Sequence, residues 1–509
     1  MTSRSGMVAA GHRVTAQAAA DILREGGNAF DAAVAAMFTA CVPETVLASI
    51  GGGGFLMAHE AASGADTLYD FFARTPAKPL ARKDAGFHSI HADFGPATQE
   101  FHIGAGATAV PGFVQGAFSI HRNLCRMPMT RLLEPAIAAA RDGVEMTPFH
   151  AYLFTVIAPI LTASEGARAL FAPRGTLLRT GETFRNPRLA ATLEALGREG
   201  ESLFSEGEIA CAIVAQSRDE GGHLTLSDLA GYSTRLREPL KRRHRSSYIL
   251  LNPAPSSGGT LIAFGLALLD RLPGADRAPT ALRMARVMEE TGKAREARPE
   301  HMLGDDVLAW HLAELRSHAR SSRGTTHISI IDGEGNAAAV TISNGEGNGL
   351  MVGDHGFMLN NMLGEEDLNP QGFFNWTPGT RLSSMMAPTL LRADDGSITA
   401  LGSGGSNRIR TALLQVISHL LDRGLDLDDA VAVARLHVER DGTLSYEAEG
   451  FSAGWGQEQL DDLTEAYPDA RDWPQANMFF GGVHAVRRAA DGRLEGAADF
   501  RRHGAVATV

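Results

Sequence analysis

Four consecutive residues, Gly324-Thr325-Thr326-His327, could do chemistry if one bond among them were broken. Cutting the peptide between Gly324 and Thr325 leaves Thr325 with a free α-amine and a β-hydroxyl on the same residue. An α-amine titrates at about 7.7–8.0, so near neutral pH it can accept the hydroxyl proton. A threonine hydroxyl alone is a poor nucleophile; with a base attached to its own backbone it becomes a competent one. Glycine suits position 324, because the threonine oxygen must reach the preceding carbonyl and a side chain there would obstruct it. The following "HISII" predicts a strand that would hold the new terminus rigidly at a sheet edge.

Other patterns offer competing chemistry. "GFSAG", Gly450 to Gly454, fits the G-x-S-x-G form of a nucleophilic serine at Ser452. That arrangement needs an acid and then a histidine downstream, plus several strands upstream. Only 57 residues follow Ser452, with His484 and His503 in what reads as a hairpin and tail, so chance in a glycine-rich chain is the simpler account. The 18 histidines show no H-E-x-x-H or paired-cysteine spacing, so no metal site and no cofactor is expected. "IGGGGF" lacks the lysine of a phosphate loop, and "GEGNG" has no helix start after it.

The elements that must position Thr325 are legible in outline. Residues 14–41 have helical apolar spacing interrupted at Gly26-Gly27-Asn28, which predicts two buried helices joined by a tight turn. "GGGGFLMAHE" reads as a turn entering a strand. Residues 130–220 read as mainly helical, with breaks at Pro148, Pro159, Pro173 and Pro187. "SSYILLNPAPSSGGTLIAFGLALLD" is a strand, a turn and an apolar helix. The helical stretch from Arg277 to Arg323 closes in the polar "RSHARSSRG", expected to be mobile. "HISIIDGEGNAAAVTIS" is two strands about a type I′-like turn. "MMAPTLLR" and "SITALGSGGS" are strands, "RTALLQVISHLLDRG" a helix, and a last hairpin turns at Asp491-Gly492. Helix-rich and strand-rich halves thus meet near residue 324.

Composition narrows the class. A chain of 509 residues suits one large layered unit or two to three domains. Hydrophobics at 44% and charged residues at 21% are ordinary for a globular protein. A net charge of −12 argues against nucleic-acid binding, which needs a basic face. No stretch reaches the roughly 18 apolar residues of a membrane span. The amino terminus shows basic residues but no apolar leader core, from which a cytoplasmic enzyme is expected. Cys41, Cys125 and Cys211 are sparse and far apart, and read as reduced, small apolar residues.

Taken in order, the motifs resemble the γ-glutamyltranspeptidase family of N-terminal-nucleophile hydrolases, nearly end to end. The opening "GMVAAGHRVTAQAAADILREGGNAFDAAVAA", then "SIGGGGFLM", "AVPGFVQG", "LTLSDLAGY" and "PAPSSGGT", are similar to that family's large subunit. "TTHISIIDGEGNAAAVT", "LNNMLGEEDLNP", "RLSSMMAPTL", "GSGGSNRI" and "EGAADFRRHG" are similar to its small subunit. The resemblance implies an α+β fold, a four-layer αββα sandwich. The precursor would cut itself into residues 1–324 and 325–509, which stay paired as a heterodimer; higher oligomers are left open. It implies Thr325 as nucleophile, Ser343 as the hydroxyl that bonds it (the family has threonine there), and Gly404 and Gly405 as the oxyanion-hole pair. Ser383 and Ser384 would grip the substrate carboxylate, against the plainer reading of a hydrogen-bonded turn. Asn344 and Glu365 would hold its α-amino end, in a segment two residues shorter than the usual form.

Two departures bear on the substrate. Where the family carries an arginine for the substrate α-carboxylate, "DFFARTP" places Phe72, and phenylalanine cannot imitate a bidentate guanidinium contact. Arg74, two residues on, would share Phe72's side of an extended segment and could substitute; the alternative is a surface arginine. Met362 stands where the family has a polar residue. The expected function is hydrolysis or transfer of γ-glutamyl amides, a small-molecule reaction. The alternative is a related amidohydrolase or acylase of other specificity, of oxamate amidohydrolase or cephalosporin acylase type. A degenerate, uncut, non-catalytic member is the remaining rival, and the intact junction, serine pair and glycine pair speak against it.

Overall fold

The computed structural model describes residues 5–93, 98–271, 277–294, 306–315, 324–365 and 372–509. Thirteen strands make its two large sheets. They are β1 (Gly6–Ala10), β2 (Gly53–Glu60), β3 (Ala65–Phe71), β4 (Arg235–Arg237), β5 (Leu240–His244), β6 (Ser247–Leu251) and β7 (Thr325–Asp332). The rest are β8 (Ala337–Ser343), β9 (Thr389–Ala393), β10 (Ile398–Gly404), β11 (Gly482–Arg488), β12 (Leu494–Ala498) and β13 (Ala505–Thr508). One sheet runs β13-β1-β7-β8-β2-β3-β4, the other β12-β11-β10-β9-β6-β5, and every pairing in both is antiparallel.

The central strands β1, β7 and β8 are buried along their whole length, and the side-chain alternation says against what. On β7, Ile328 and Ile330 join the core under the helices Arg13–Glu25 and Ala29–Ala40. The next residue, Ile331, joins Met7, Phe55, Met57 and Ala339 in the core facing the second sheet. That second sheet carries the helices Ser257–Arg271 and Arg408–Leu421 on its far side. The layers are therefore helix, sheet, sheet, helix, the expected αββα sandwich. Two faces need cover, which explains why the helical segments flank the strand-rich half rather than forming a separate core.

The predicted break at residues 26–28 is a helix boundary, closed by Asn28 and Asp31 as a reciprocal capping box. Pro148 and Pro187 open helices at their first turn rather than break them. The turn after β7 differs from expectation. A type I′ turn needs positive φ at both central residues, but here only Gly335 is left-handed (φ 92°), in a three-residue loop closed by the Asp332 amide donating to the Asn336 carbonyl at 3.1 Å. The Asp332 carboxylate accepts from the amides of Glu334 and Asn336, which fixes that loop without a second left-handed residue. The expected mobile segment 316–323 lies outside the described residues. No helix among the described residues is long and apolar enough to cross a membrane.

Candidate active site

Thr325 begins β7, which is an interior strand between β1 and β8 and not the sheet edge expected from the sequence. The β1 pairing stops at Ile328, so at Thr325 itself the strand is paired through β8. Its cross-strand partner is Ser343, the last residue of β8, and Ser343 in turn faces Gly53 on β2. The Ser343 hydroxyl donates to the carbonyl of Gly324 at 2.8 Å. Gly324 has φ +48°, and a Cβ there would overlap the carbonyl oxygen of Gly345. Both the backbone conformation and the packing demand glycine.

Thr325, Ser343, Gly404 and Gly405 converge. A Cβ on Gly404 would overlap the carbonyl oxygen of Thr325, so the glycine pair lies directly against the residue it is expected to serve. Behind them stands a cation that carried no assignment in the sequence reading. Arg502 donates from Nη1 to the Thr325 carbonyl at 3.3 Å, and its Nη2 lies beside Gly405. Burial pulls the Arg502 guanidinium down to about 10, against the opposing charges of Asp499 and Glu44.

Glu44 is the second residue the sequence did not single out. Its buried carboxylate accepts from the hydroxyl of Thr15 at 2.8 Å and from that of Thr326, the neighbour of the nucleophile. Burial pushes its pKa up to about 7, while both hydroxyl bonds and Arg502 pull the other way. Between the sheets, two residues past Thr325, the His327 ring bonds Thr341 Oγ1 at 2.8 Å and Ser329 Oγ at 2.9 Å. Gly402 leaves the space for that ring. Burial holds His327 far below the usual histidine range, so it is a neutral brace.

The residues expected to hold the substrate are more scattered. Asn344 lies just past the end of β8, in a turn where it bridges to Glu346. Asn344 lines a small internal cavity with Ser49, Ile50, Glu346 and Met358, and its buried Oδ1 has no hydrogen-bond partner among the described residues. Glu365 is buried beside Gly345, in the loop that follows Asn344. The Ser384 hydroxyl accepts from the Met386 amide at 3.1 Å, the plain turn reading, while its carbonyl accepts from the amides of Ser257 and Gly258 at a helix start. Ser383 is fully buried next to it.

Arg74 does not replace the missing arginine. Its guanidinium donates to the carbonyls of Gly231 and Asp228, each at 2.9 Å. Phe72 is fully buried and stacks on Phe55, ring centres 5.5 Å apart. Phe72 and Met362, the two departures from the family pattern, are both buried in the apolar core facing the second sheet. Arg381, the nearest other cation in that region, is buried against Asp70, Tyr232 and the Phe72 carbonyl. Ser452 donates to Gln457 at 2.7 Å on an exposed one-turn helix, with no catalytic constellation around it.

The family model for gamma-glutamyltranspeptidase matches residues 15–317 and 294–509, almost the whole chain. The chain belongs to the γ-glutamyltranspeptidase family. Among relatives of this γ-glutamyltranspeptidase-family enzyme, the glutathione hydrolase proenzyme of Pseudomonas aeruginosa is 31% identical, with 99% of this chain and 94% of that protein covered. Acylase ACY 1 proenzyme of Pseudomonas sp. (strain SE83) is 28% identical, covering 98% and 92%. The crystal structure of cephalosporin acylase from Bacillus halodurans superposes with a TM-score of 0.83 at 24% identity, over 99% of this chain and 95% of that one, a likeness of fold.

Proposed function

We propose that this family member cuts its own chain before Thr325 and then cleaves γ-glutamyl amides through a Thr325 ester, which water or an amine resolves. The observation that carries the reading is the Ser343 hydroxyl 2.8 Å from the Gly324 carbonyl, across a register that pairs Ser343 with Thr325. In self-cleavage the Thr325 oxygen attacks the Gly324 carbonyl carbon. Its proton passes to the departing Thr325 nitrogen, the C–N bond breaks, and water hydrolyses the resulting ester. Residues 1–324 end in a carboxylate and residues 325–509 begin with an amine. The curated relatives named proenzymes support a processed enzyme of two subunits.

In turnover the new amine takes the hydroxyl proton and the oxygen attacks the substrate carbonyl. The Gly404-Gly405 backbone faces the developing oxyanion, where one preorganised donor contributes about 2.7–4 kcal/mol. The amine proton then goes to the leaving nitrogen. Denaturing electrophoresis tests the reading. Wild type should give two bands of about 34 and 20 kDa, from dividing 54.0 kDa at residue 324 of 509, and Thr325→Ala should give one. An active wild type that runs as a single band would overturn it.

A second reading has its own observation. Phe72 is stacked on Phe55, and the two arginines that lie beside it, Arg74 and Arg381, are bound to two carbonyls and to Asp70. This favours an acyl group without an α-carboxylate. Comparing a γ-glutamyl amide with the butanoyl amide of the same amine decides between them: γ-glutamyl preference supports the first reading, butanoyl preference the second.

A further inference from the structure

Between the two sheets, β10 carries no side chain on its inward side where it passes the start of β7. A Cβ on Gly404 would overlap the Thr325 carbonyl oxygen, and a Cβ on Gly402 would overlap the His327 ring. Packed sheets ordinarily stand about 10 Å apart, with side chains from both filling the space. At Gly404 two backbones touch instead. Opposite Gly402 the His327 ring enters the space and the facing strand contributes no side chain. Counting donors fixes that ring. The Ser329 hydroxyl donates to the His484 carbonyl at 3.1 Å, and a carbonyl can only accept. With its one proton committed, Ser329 Oγ accepts from His327 Nε2–H, 2.9 Å away. The neutral ring then has a bare Nδ1, which accepts from the Thr341 hydroxyl at 2.8 Å.

Thr341 is the cross-strand partner of His327 on β8, and His484 on β11 is the cross-strand partner of Gly402 on β10. The chain Thr341–His327–Ser329–His484, buried throughout, therefore ties the β7–β8 pair of the first sheet to the β10–β11 pair of the second. It lies two residues from the reacting level on both sides: β7 leads back from His327 to Thr325, and β10 leads on from Gly402 to Gly404. We infer that His327 and Ser329 are positioning residues, a clamp that sets the separation of the Thr325 oxygen from the Gly404-Gly405 backbone during turnover. The inference rests on Thr325 as the nucleophile and on the glycine pair as its oxyanion donors. It also separates two reactions of one residue. In self-cleavage the reacting carbonyl is that of Gly324, which Ser343 holds from within the first sheet. In turnover the oxyanion faces the second sheet. Loosening the clamp should harm turnover and leave self-cleavage alone, because a misplacement of about 1 Å can cost ~10^2-fold in rate.

The experiment follows both reactions in the full chain carrying Gly402→Ala, whose methyl group would press on the ring, or Ser329→Ala, which cuts the tie to β11 and leaves the ring in place. Ser329→Ala is nearly isosteric and guards against a variant that fails to fold. Self-cleavage is timed on denaturing gels, and turnover of the processed enzyme is measured with the γ-glutamyl and butanoyl anilides. Each variant should be cut within ~3-fold of the wild-type rate and lose about 10–100-fold in kcat, with KM within ~3-fold. Inhibition supplies a readout that a general loosening would not move selectively. A boronic acid bearing the acyl chain that is turned over forms a tetrahedral adduct on Thr325 with an oxygen at the oxyanion position. Its binding should weaken by the factor seen in kcat, while the matching carboxylic acid binds as before. If self-cleavage and turnover fall together, if Ser329→Ala changes neither, or if both acids weaken alike, the clamp is overturned and the Thr325 reading stands. A wild type that turns over neither anilide, or a Thr325→Ala chain that is still cut, overturns the Thr325 reading itself.

Discussion

Around Gly324 the chain tolerates one residue type at each position: a left-handed glycine packed on the Gly345 carbonyl, a threonine paired with Ser343, a glycine packed on the Thr325 carbonyl. Around residue 72, a few residues away across β2, the chain has exchanged a polar anchor for packing. Phe72 and Met362 sit in the inter-sheet core, and the arginines nearby are bound to backbone carbonyls and to Asp70. Bond-making chemistry depends on atoms at fixed distances, so its residues admit few substitutes. Recognition depends on surplus binding energy, which one aromatic stack can redirect. The same scaffold therefore keeps one flank of the nucleophile and rewrites the other.

The sharpest break in that comparison is Thr325→Ala. Losing the oxygen should leave the chain uncut and lower kcat by at least ~10^4-fold, the scale on which nucleophile deletions act. Residual processing on a gel would place the attack elsewhere. Ser343→Ala comes next. The scissile carbonyl loses its hydroxyl donor, and self-cleavage should slow by about 10^2–10^3-fold, as for loss of one oxyanion donor, with Ser343→Thr restoring it. A cleavage time course with all three variants at equal rates would remove Ser343 from the mechanism. Phe72→Ala tests the other flank: it should cost about 3–5 kcal/mol in chemical denaturation, the range for a deleted buried phenylalanine, and leave the processing rate nearly unchanged. Slowed cleavage in that variant would mean the two flanks are not separable.

What was readable in the sequence follows the same division. Thr325 was reached from the run Gly324-Thr325-Thr326-His327 itself, whereas Ser343, Gly404 and Gly405 came only from the family resemblance, and the structure brings the four together. The hairpin and the capped helix pair are local too. Glu44, Arg381 and Arg502 were not legible, because each acts across the chain: Glu44 reaches Thr326 over 282 positions, Arg381 reaches Phe72 over 309, and Arg502 reaches Thr325 over 177. Nothing in "FRRHG" separates Arg501, which pairs with Glu447, from Arg502, which donates to the Thr325 carbonyl. The interior position of β7 was equally hidden, since β1 and β13 come from the two ends of the chain. Arg74 illustrates the converse: the sequence offered it as a substitute two residues past Phe72 and held no sign of the carbonyls at Asp228 and Gly231 that claim it.

The smallest effect concerns pH, and it separates two groups near Thr325 by sign. Burial lowers His12 to about 4, His150 to about 3 and His484 to about 4, so all three are neutral in the folded protein at pH 6. The unfolded chain binds protons on them from about 6.5 downward, and stability must fall as pH drops from there toward 4. Glu44 runs the other way. Its pKa is raised to about 7, so between the ordinary carboxylate value and 7 the folded state binds the extra proton. Its contribution weakens as pH rises through that window. Three histidines against one carboxylate make the net slope positive, and the thermal midpoint of wild type should drop between pH 7 and pH 5. Glu44→Gln keeps a hydrogen-bonding side chain and removes the opposing term. Relative to wild type it should be more favourable at pH 8 than at pH 5, because only the wild type bears a buried ionised carboxylate at the higher pH. A difference between the two proteins that stays constant from pH 5 to pH 8 would show that Glu44 does not titrate in this range. The carboxylate under Thr326 would then be a fixed charge facing Arg502, and the nucleophile's flank would be held by an ion pair rather than by hydroxyl bonds to a group poised near neutrality.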